Sequence, residues 1–85
     1  MSFEGKTVII TGASRGIGYE TAKLFYAAGA RVYLTARTES NLNKLSKDLG
    51  GNAIAEVCDV GILGELERVT KKVLQDTGRI DIFDK

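Results

Sequence analysis

The chain has 85 residues, which allows one small domain at most. Its formal charge is +1, so no whole-chain electrostatic attraction favours nucleic acid or a membrane surface. The chain has no histidine and one cysteine, Cys58, which excludes an internal disulfide, a structural zinc site and a histidine-based triad within one chain. No stretch approaches the ~20 apolar residues needed to cross a bilayer, and the N-terminus lacks a signal-peptide core. We therefore expect a cytoplasmic protein with no metal site and no nucleic-acid or membrane partner.

The first half of the chain alternates strand and helix patterns. Lys6–Thr11 is a β-branched run, which is typical of a strand buried on both faces. From Gly16 the pattern changes to helical spacing, and Gly29 is a natural helix stop. The apolar positions of this helix are Ile17, Thr21, Leu24, Phe25 and Ala28. Arg31–Thr35 predicts a second strand.

The second half continues the alternation. Thr38 or Ser40 is expected to cap a second helix that carries Leu42, Leu45 and Leu49 on one face and ends at Gly50. Ala53–Val57 predicts a third strand. A third helix is expected from about Leu63 to Gly78, and its inward positions are Leu63, Leu66, Val69, Thr70 and Val73. Ile80–Phe83 predicts a fourth strand.

The resulting order is βαβαβαβ. Such alternation favours an α/β fold in which a parallel sheet is covered by helices. We find no internal repeat, no low-complexity tract and no linker, so residues 1–85 are predicted to form a single domain.

Three glycines, Gly12, Gly16 and Gly18, lie between the first strand and the first helix. A helix N-terminus offers unpaired N–H groups and a partial positive charge, so it attracts a pyrophosphate. Gly12 would allow the tight turn, Gly16 the close approach of phosphate, and Gly18 the packing of the helix near the sheet. The alternative is a glycine-rich turn that serves packing alone. Because the run sits between a strand and a helix, it indicates a dinucleotide site.

The chain resembles the short-chain dehydrogenases/reductases. Three segments show the resemblance: T-G-A-S-R-G-I-G at 11–18, C-D-V at 58–60 and G-R-I-D-I at 78–82. The resemblance implies NAD(P)-dependent oxidoreductase ancestry and a partial Rossmann-like three-layer fold with strand order 3-2-1-4. It also implies a set of cofactor-binding residues: Gly12, Ser14, Arg15, Gly16, Ile17, Gly18, Arg37, Thr38, Asp59 and Val60.

The end of the second strand bears on the choice of cofactor. A carboxylate in this place holds the ribose 2′-hydroxyl of NAD, but residues 35–38 read T-A-R-T. Arg37 could pair with a 2′-phosphate through its planar guanidinium, and Arg15 is a second basic group that could reach it. We therefore expect NADP(H) rather than NAD(H), unless both arginines are solvated surface charges.

Several residues admit two interpretations. Asp59 and Val60 resemble the family's adenine-lining positions, but an aspartate after a strand can equally cap the third helix. Ser14 could bind phosphate or ribose, or stabilise the loop. Cys58 is interpreted as a packing residue. Tyr19 and Lys23 have the Y-x-x-x-K spacing of the family's catalytic pair, but they lie on the pyrophosphate-binding helix, so we interpret the spacing as chance and assign no catalytic residue.

The family's catalytic asparagine, serine, tyrosine and lysine belong to segments after the fourth strand, which this sequence does not contain. Its last residues, Phe83-Asp84-Lys85, also depart from the family's L-V-N-N-A-G pattern, which suggests an early stop or a frame change in a longer gene. The resemblance thus indicates a truncated cofactor-binding portion that is not catalytic alone. An exposed fourth strand would invite a homodimer or a complementary chain. Three alternatives stay open: a half-enzyme completed by another chain, a non-catalytic binding module, and a gene remnant.

Overall fold

The computed structural model describes residues 2–13, 16–37, 39, 41–59 and 61–84. Four parallel strands form one sheet in the order β3-β2-β1-β4, as the resemblance implies. The strands are β1 (Thr7–Ile10), β2 (Arg31–Ala36), β3 (Ala53–Val57) and β4 (Ile82–Asp84). The helices are α1 (Gly16–Ala27), α2 (Leu42–Leu49) and α3 (Glu65–Thr77). The predicted α/β alternation is confirmed.

The sheet lies between two helical layers because alternate residues of each strand point to opposite faces. Val8 and Ile10 of β1 pack with α1 and α2, whereas Ile9 between them packs with α3. On β2, Leu34 packs on the same side as α1 and α2, and Tyr33 packs on the side of α3. All four residues of β1 are buried, as expected for a central parallel strand covered on both sides.

The predicted apolar face of α2 is confirmed: Leu42 is buried, and Leu45 and Leu49 pack against the same core. The predicted face of α1 is partly wrong. Ile17 and Leu24 are 86% and 73% exposed, and the fully buried side chain of α1 is Ala22. The inner face of α1 centres on Ala22, with Phe25 and Tyr26 packed beside it on the core, and Ile17 and Leu24 lie on the other side of the helix.

Two predicted boundaries are corrected, and a third prediction falls outside the described residues. α3 begins at Glu65, because Gly64 at its N-cap has a left-handed φ of 94°, and Leu63 before it is fully exposed rather than inward. α2 is preceded by Asn41, whereas the predicted caps Thr38 and Ser40 lie outside the described residues. β4 begins at Ile82 rather than Ile80.

Cys58 is buried among Ile9, Tyr33, Val69 and Val73, which confirms its interpretation as a packing residue. Burial raises the pKa of its thiol, and the carboxylate of Glu65 raises it further. None of the described helices combines the length and the apolar character that a membrane-spanning segment requires.

Candidate dinucleotide site

The candidate site lies at the carboxyl ends of the parallel strands, where β1 turns into α1. Gly12 makes this turn with a φ of 65°, a conformation that residues with a Cβ rarely adopt. The residues on either side of Gly12 are tied to neighbouring strands. Both the N–H and the hydroxyl of Thr11 donate to the carbonyl of Asp84 in β4, at 2.9 and 3.3 Å. The N–H of Ala13 donates to the carbonyl of Thr35 in β2 at 2.9 Å.

Gly18 lets the first turn of α1 lie directly against this loop. A Cβ at position 18 would stand 2.5 Å from the carbonyl oxygen of Gly12 and 3.3 Å from Cα of Ala13. Both neighbours are backbone atoms, which cannot rotate away. The packing role that the sequence predicted for Gly18 is therefore confirmed.

Gly16, the first residue of α1, has the opposite surroundings. A Cβ at position 16 would meet no atom of the described residues within 4 Å. The same is true of Gly12. A helix N-terminus can receive an anion, since its first N–H groups have no partner within the helix. These residues fit a pyrophosphate.

The end of β2 forms the second part of the candidate site. Arg37 follows the last strand residue, Ala36, and is exposed. The sequence-based search missed Glu39, an acid two residues beyond Arg37. Its side chain accepts a hydrogen bond from Nδ2 of Asn43 at 3.0 Å, which holds the carboxylate along the start of α2.

At the end of β3, Asp59 forms a local turn. Its Oδ1 accepts the N–H of Gly61 at 2.9 Å, and its carbonyl accepts the N–H of Ile62 at 3.0 Å. α3 is preceded by Gly64 instead, so the helix-cap interpretation of Asp59 is wrong. The turn places Asp59 at the same edge of the sheet as Gly12 and Arg37, because the carboxyl ends of parallel strands share one edge.

The Tyr19–Lys23 pair lies on one face of α1, but with a geometry unlike a proton-transfer pair. The Nζ of Lys23 stands 5.5 Å from the centre of the Tyr19 ring and forms an ion pair with Glu20 at 3.1 Å. The lysine therefore contacts the face of the ring, where a cation is attracted by the π electrons.

The predicted cofactor contacts divide into two groups. Gly12, Gly16, Ile17, Gly18, Arg37 and Asp59 lie at this edge of the sheet, and Ile17 projects from the start of α1 with its side chain exposed. Ser14, Arg15, Thr38 and Val60 lie outside the described residues. Sequence reasoning missed the contribution of Thr11 and Asp84, which fix the entrance to the turn. The signal for them would have been the expected neighbourhood of β1 and β4.

A buried parallel strand that leads through a tight glycine turn into a helix is the arrangement found in dinucleotide-binding domains of the Rossmann class. The family model for short chain dehydrogenases matches residues 6–84. The chain therefore belongs to the short chain dehydrogenase family.

Relatives and solved structures agree with this assignment. The chain is 39% identical over 83 residues to the 3-oxoacyl-[acyl-carrier-protein] reductase FabG of Escherichia coli and of Salmonella typhimurium, covering 98% of this chain and 34% of each relative. A hydroxysteroid dehydrogenase from E. coli superimposes with a TM-score of 0.90 at 34% identity, covering 96% of this chain and 35% of that one. A 3-ketoacyl-(acyl-carrier-protein) reductase from Brucella melitensis complexed with NADH gives a TM-score of 0.90 at 30% identity, covering 96% and 34%. The chain spans about a third of the length of these proteins.

Proposed function

We propose that this chain is the cofactor-binding N-terminal part of a short-chain dehydrogenase/reductase and that it binds NADP(H) in preference to NAD(H). The observation that carries the proposal is the arrangement of the glycines. Gly18 brings the N-terminus of α1 against the turn at Gly12, and a Cβ at Gly16 would meet no atom within 4 Å among the residues that the structure describes. A pyrophosphate in that space would accept hydrogen bonds from the first N–H groups of α1. The other proposed contacts are Ser14, Arg15, Ile17, Thr38, Asp59 and Val60.

The preference for NADP(H) rests on Arg37. Its guanidinium follows β2, at the strand end where the adenosine ribose binds in folds of this class. A 2′-phosphate there would gain a charge-assisted, two-pronged hydrogen bond. Glu39 is a nearby carboxylate that would oppose the binding of a 2′-phosphate. Its hydrogen bond with Asn43 supports the view that the Glu39 side chain is directed along α2. The Brucella reductase is complexed with NADH, so the proposed preference for NADP(H) derives from this chain's own residues.

The test is a fluorescence titration of the purified chain with NADPH and NADH in parallel. We expect saturable binding that favours NADPH. Arg37→Asp should lower NADPH affinity by roughly 10- to 100-fold, the equivalent of one charge-assisted hydrogen bond, and leave NADH affinity equal or better. Arg31→Ala is the matched control, because Arg31 lies at the opposite end of the same strand. Equal binding of both cofactors by the wild type, or unchanged discrimination in Arg37→Asp, would contradict the preference.

Hydride transfer is proposed to need more than this chain. A doubly wound sheet binds its dinucleotide across two halves, and the described strands supply the half that includes the glycine turn. The other half positions the nicotinamide and excludes water. We therefore expect cofactor binding without dehydrogenase activity from the isolated 85 residues.

A non-catalytic nucleotide-binding module would bind cofactor with the same residues but would show no hydride transfer with any partner.

A further inference from the structure

Two exposed side chains of opposite charge follow β2. Arg37 comes directly after the last strand residue, and Glu39 is two residues further along the chain. Because a chain advances by at most about 3.6 Å per residue, the Cα atoms of Arg37 and Glu39 lie within about 7 Å of each other. Both side chains are long, so the carboxylate of Glu39 has the reach to contact the guanidinium of Arg37 or a phosphate bound to it.

The direction of the Glu39 side chain bears on the choice of cofactor in two ways. A carboxylate paired with Arg37 would neutralise the guanidinium that is proposed to hold the 2′-phosphate of NADP(H). It would also repel the phosphate itself, which as a monoester carries a charge of about −1.5 to −2 at neutral pH. The same carboxylate would accept a hydrogen bond from the ribose 2′-hydroxyl of NAD(H). A Glu39 turned toward Arg37 therefore disfavours NADP(H) and favours NAD(H).

The structure directs Glu39 toward α2 instead. Its Oε1 accepts a hydrogen bond from Nδ2 of Asn43 at 3.0 Å, and its backbone carbonyl accepts the N–H of Leu42 at 3.0 Å. An ionised carboxylate only accepts hydrogen bonds, so the amide nitrogen of Asn43 must be the group that faces it. Within the part of the chain that the structure describes, the ion pairs do not include one between Arg37 and Glu39.

Asn43 holds this carboxylate from a fixed position. It is the second residue of α2, and the first, Leu42, is fully buried in the core. The N–H of Leu45 donates to the carbonyl of Asn41 at 3.0 Å, which closes the first turn of the helix. Helix propensity does not explain the residue, because asparagine is a weaker helix former than alanine. Since the amide is uncharged, it sets the direction of the Glu39 side chain without cancelling its charge.

We propose that Asn43 is a positioning residue for cofactor choice, which holds the carboxylate of Glu39 along α2 and leaves Arg37 available to a 2′-phosphate. This role rests on the proposed function, since it requires a dinucleotide whose adenosine ribose lies at the end of β2. Loss of the Asn43 amide frees Glu39 to turn toward Arg37, so the affinities for the two cofactors change in opposite directions. A residue that only stabilised the fold would weaken or spare both cofactors alike.

The test compares Asn43→Ala with the wild type in parallel fluorescence titrations with NADPH and NADH. We expect NADPH affinity to fall roughly three- to tenfold, the range of one exposed hydrogen bond, and NADH affinity to stay equal or rise. Asn43→Gln keeps an amide within reach of Glu39 and should restore most of the discrimination. Asn52→Ala is the matched control, because it makes the same change at an exposed position before the amino end of β3 and should leave both affinities unchanged.

A double substitution shows whether Asn43 acts through Glu39. In the Glu39→Gln background the carboxylate is absent, so adding Asn43→Ala should change the ratio of the two affinities by no more than about twofold. Circular dichroism and a thermal melt establish that each variant folds. Equal loss of NADPH and NADH affinity in Asn43→Ala would overturn the positioning role. So would an undiminished effect of Asn43→Ala in the Glu39→Gln background.

The outcomes separate the role of Asn43 from the proposed cofactor preference. Suppose that the wild type prefers NADPH, that Arg37→Asp abolishes the preference and that Asn43→Ala keeps it. The proposed function would then stand, and the role of Asn43 would be overturned. A wild type that binds both cofactors equally would overturn both.

Discussion

At the residue scale, Gly16 and Gly18 have separate physical roles although they belong to one motif. A side chain at position 18 would collide with the backbone of Gly12 and Ala13, whereas a Cβ at position 16 would meet no atom of the described part of the chain. The helix therefore needs Gly18 in order to pack. The proposed cofactor needs Gly16, because a Cβ there would stand where a phosphate approaches.

We predict that Gly18→Ala lowers the free energy of unfolding by about 1–3 kcal/mol, the range of an overpacked contact that backbone must relieve. Gly16→Ala should leave it unchanged or raise it by up to about 1 kcal/mol, since alanine is the better helix former. Urea denaturation measures the free energy of unfolding of both variants. Each variant that folds is then titrated with NADPH. Equal destabilisation by the two substitutions would contradict the division of roles.

Asp81 illustrates a residue whose role depends on tertiary contact. Its Oδ2 accepts the N–H of Thr7 at 2.8 Å, and its Oδ1 accepts a hydrogen bond from Nε of Arg79 at 3.0 Å. The hydrogen bond from Arg79, and then the one from Thr7, lower the pKa of Asp81 below its ordinary value. The carboxylate takes the place of a strand carbonyl at the start of β4, which is why β4 begins at Ile82.

The sign of the pH effect follows from this lowered pKa. The folded state favours the ionised carboxylate, so its stabilising contribution is fully present above the unfolded-state pKa of about 3.9. It is lost as the pH falls through the lower, folded-state value. We predict that acidification below about pH 4 lowers the melting temperature of the wild type more steeply than that of Asp81→Asn. Asp48→Asn, which removes an exposed carboxylate from α2, is the control, and identical acid profiles for wild type and Asp81→Asn would exclude the role.

At the scale of the elements, Arg68 links α3 to the outer edge of β3. The sequence predicted α3 and β3 as separate units and carried no sign of this link, because Arg68 and Val57 are eleven residues apart and belong to different patterns. The edge strand needs such a link since a row of unpaired backbone groups is a template for aggregation.

Arg68→Ala is predicted to expose the Val57 carbonyl and to increase self-association. Light scattering during a slow temperature ramp should detect aggregates at a lower temperature than in the wild type. Lys71→Ala removes a neighbouring exposed cation that pairs with Glu67 and should not change the onset. An unchanged aggregation temperature in Arg68→Ala would show that Arg68 does not protect the outer edge of β3.

The contrast between α1 and α2 shows how well helical periodicity predicts the inner face of a helix. Helical spacing correctly placed Leu42, Leu45 and Leu49 on the inner face of α2, because α2 packs through large side chains. The same reasoning misplaced Ile17 and Leu24 on α1. Periodicity identifies residues that share a face, but it does not tell which face meets the sheet, and α1 meets it through Ala22, Phe25 and Tyr26.

At the scale of the whole molecule, the candidate site joins elements that are distant in sequence. The turn after β1, the end of β2 and the end of β3 meet at one edge of the sheet only when the strands pair in the order found. A ligand that contacts all three would bind the folded state and not the unfolded chain. Such a ligand stabilises the fold by mass action.

We therefore predict that NADPH at about one hundred times its dissociation constant raises the free energy of unfolding by about 2.7 kcal/mol. Urea denaturation with and without cofactor measures the shift. NADH at the same concentration should give a smaller shift if Arg37 contacts a 2′-phosphate. A shift that is equal in wild type and Gly16→Ala would place the cofactor elsewhere.

The sequence by itself determined the alternation of elements, the parallel sheet and the family, because strand and helix periods and the glycine motif are local patterns. It also located the candidate site, since a glycine run between a strand and a helix has one place in such a fold. Only the tertiary structure decided that Ile17, Leu24 and Leu74 are exposed, that Asp81 accepts the N–H of Thr7, and that Arg68 donates to the outer edge of β3. These features depend on which groups meet across long stretches of chain, such as the 74 residues between Thr7 and Asp81. Local periodicity carries no information about these long-range contacts, because they form only when the elements pack together.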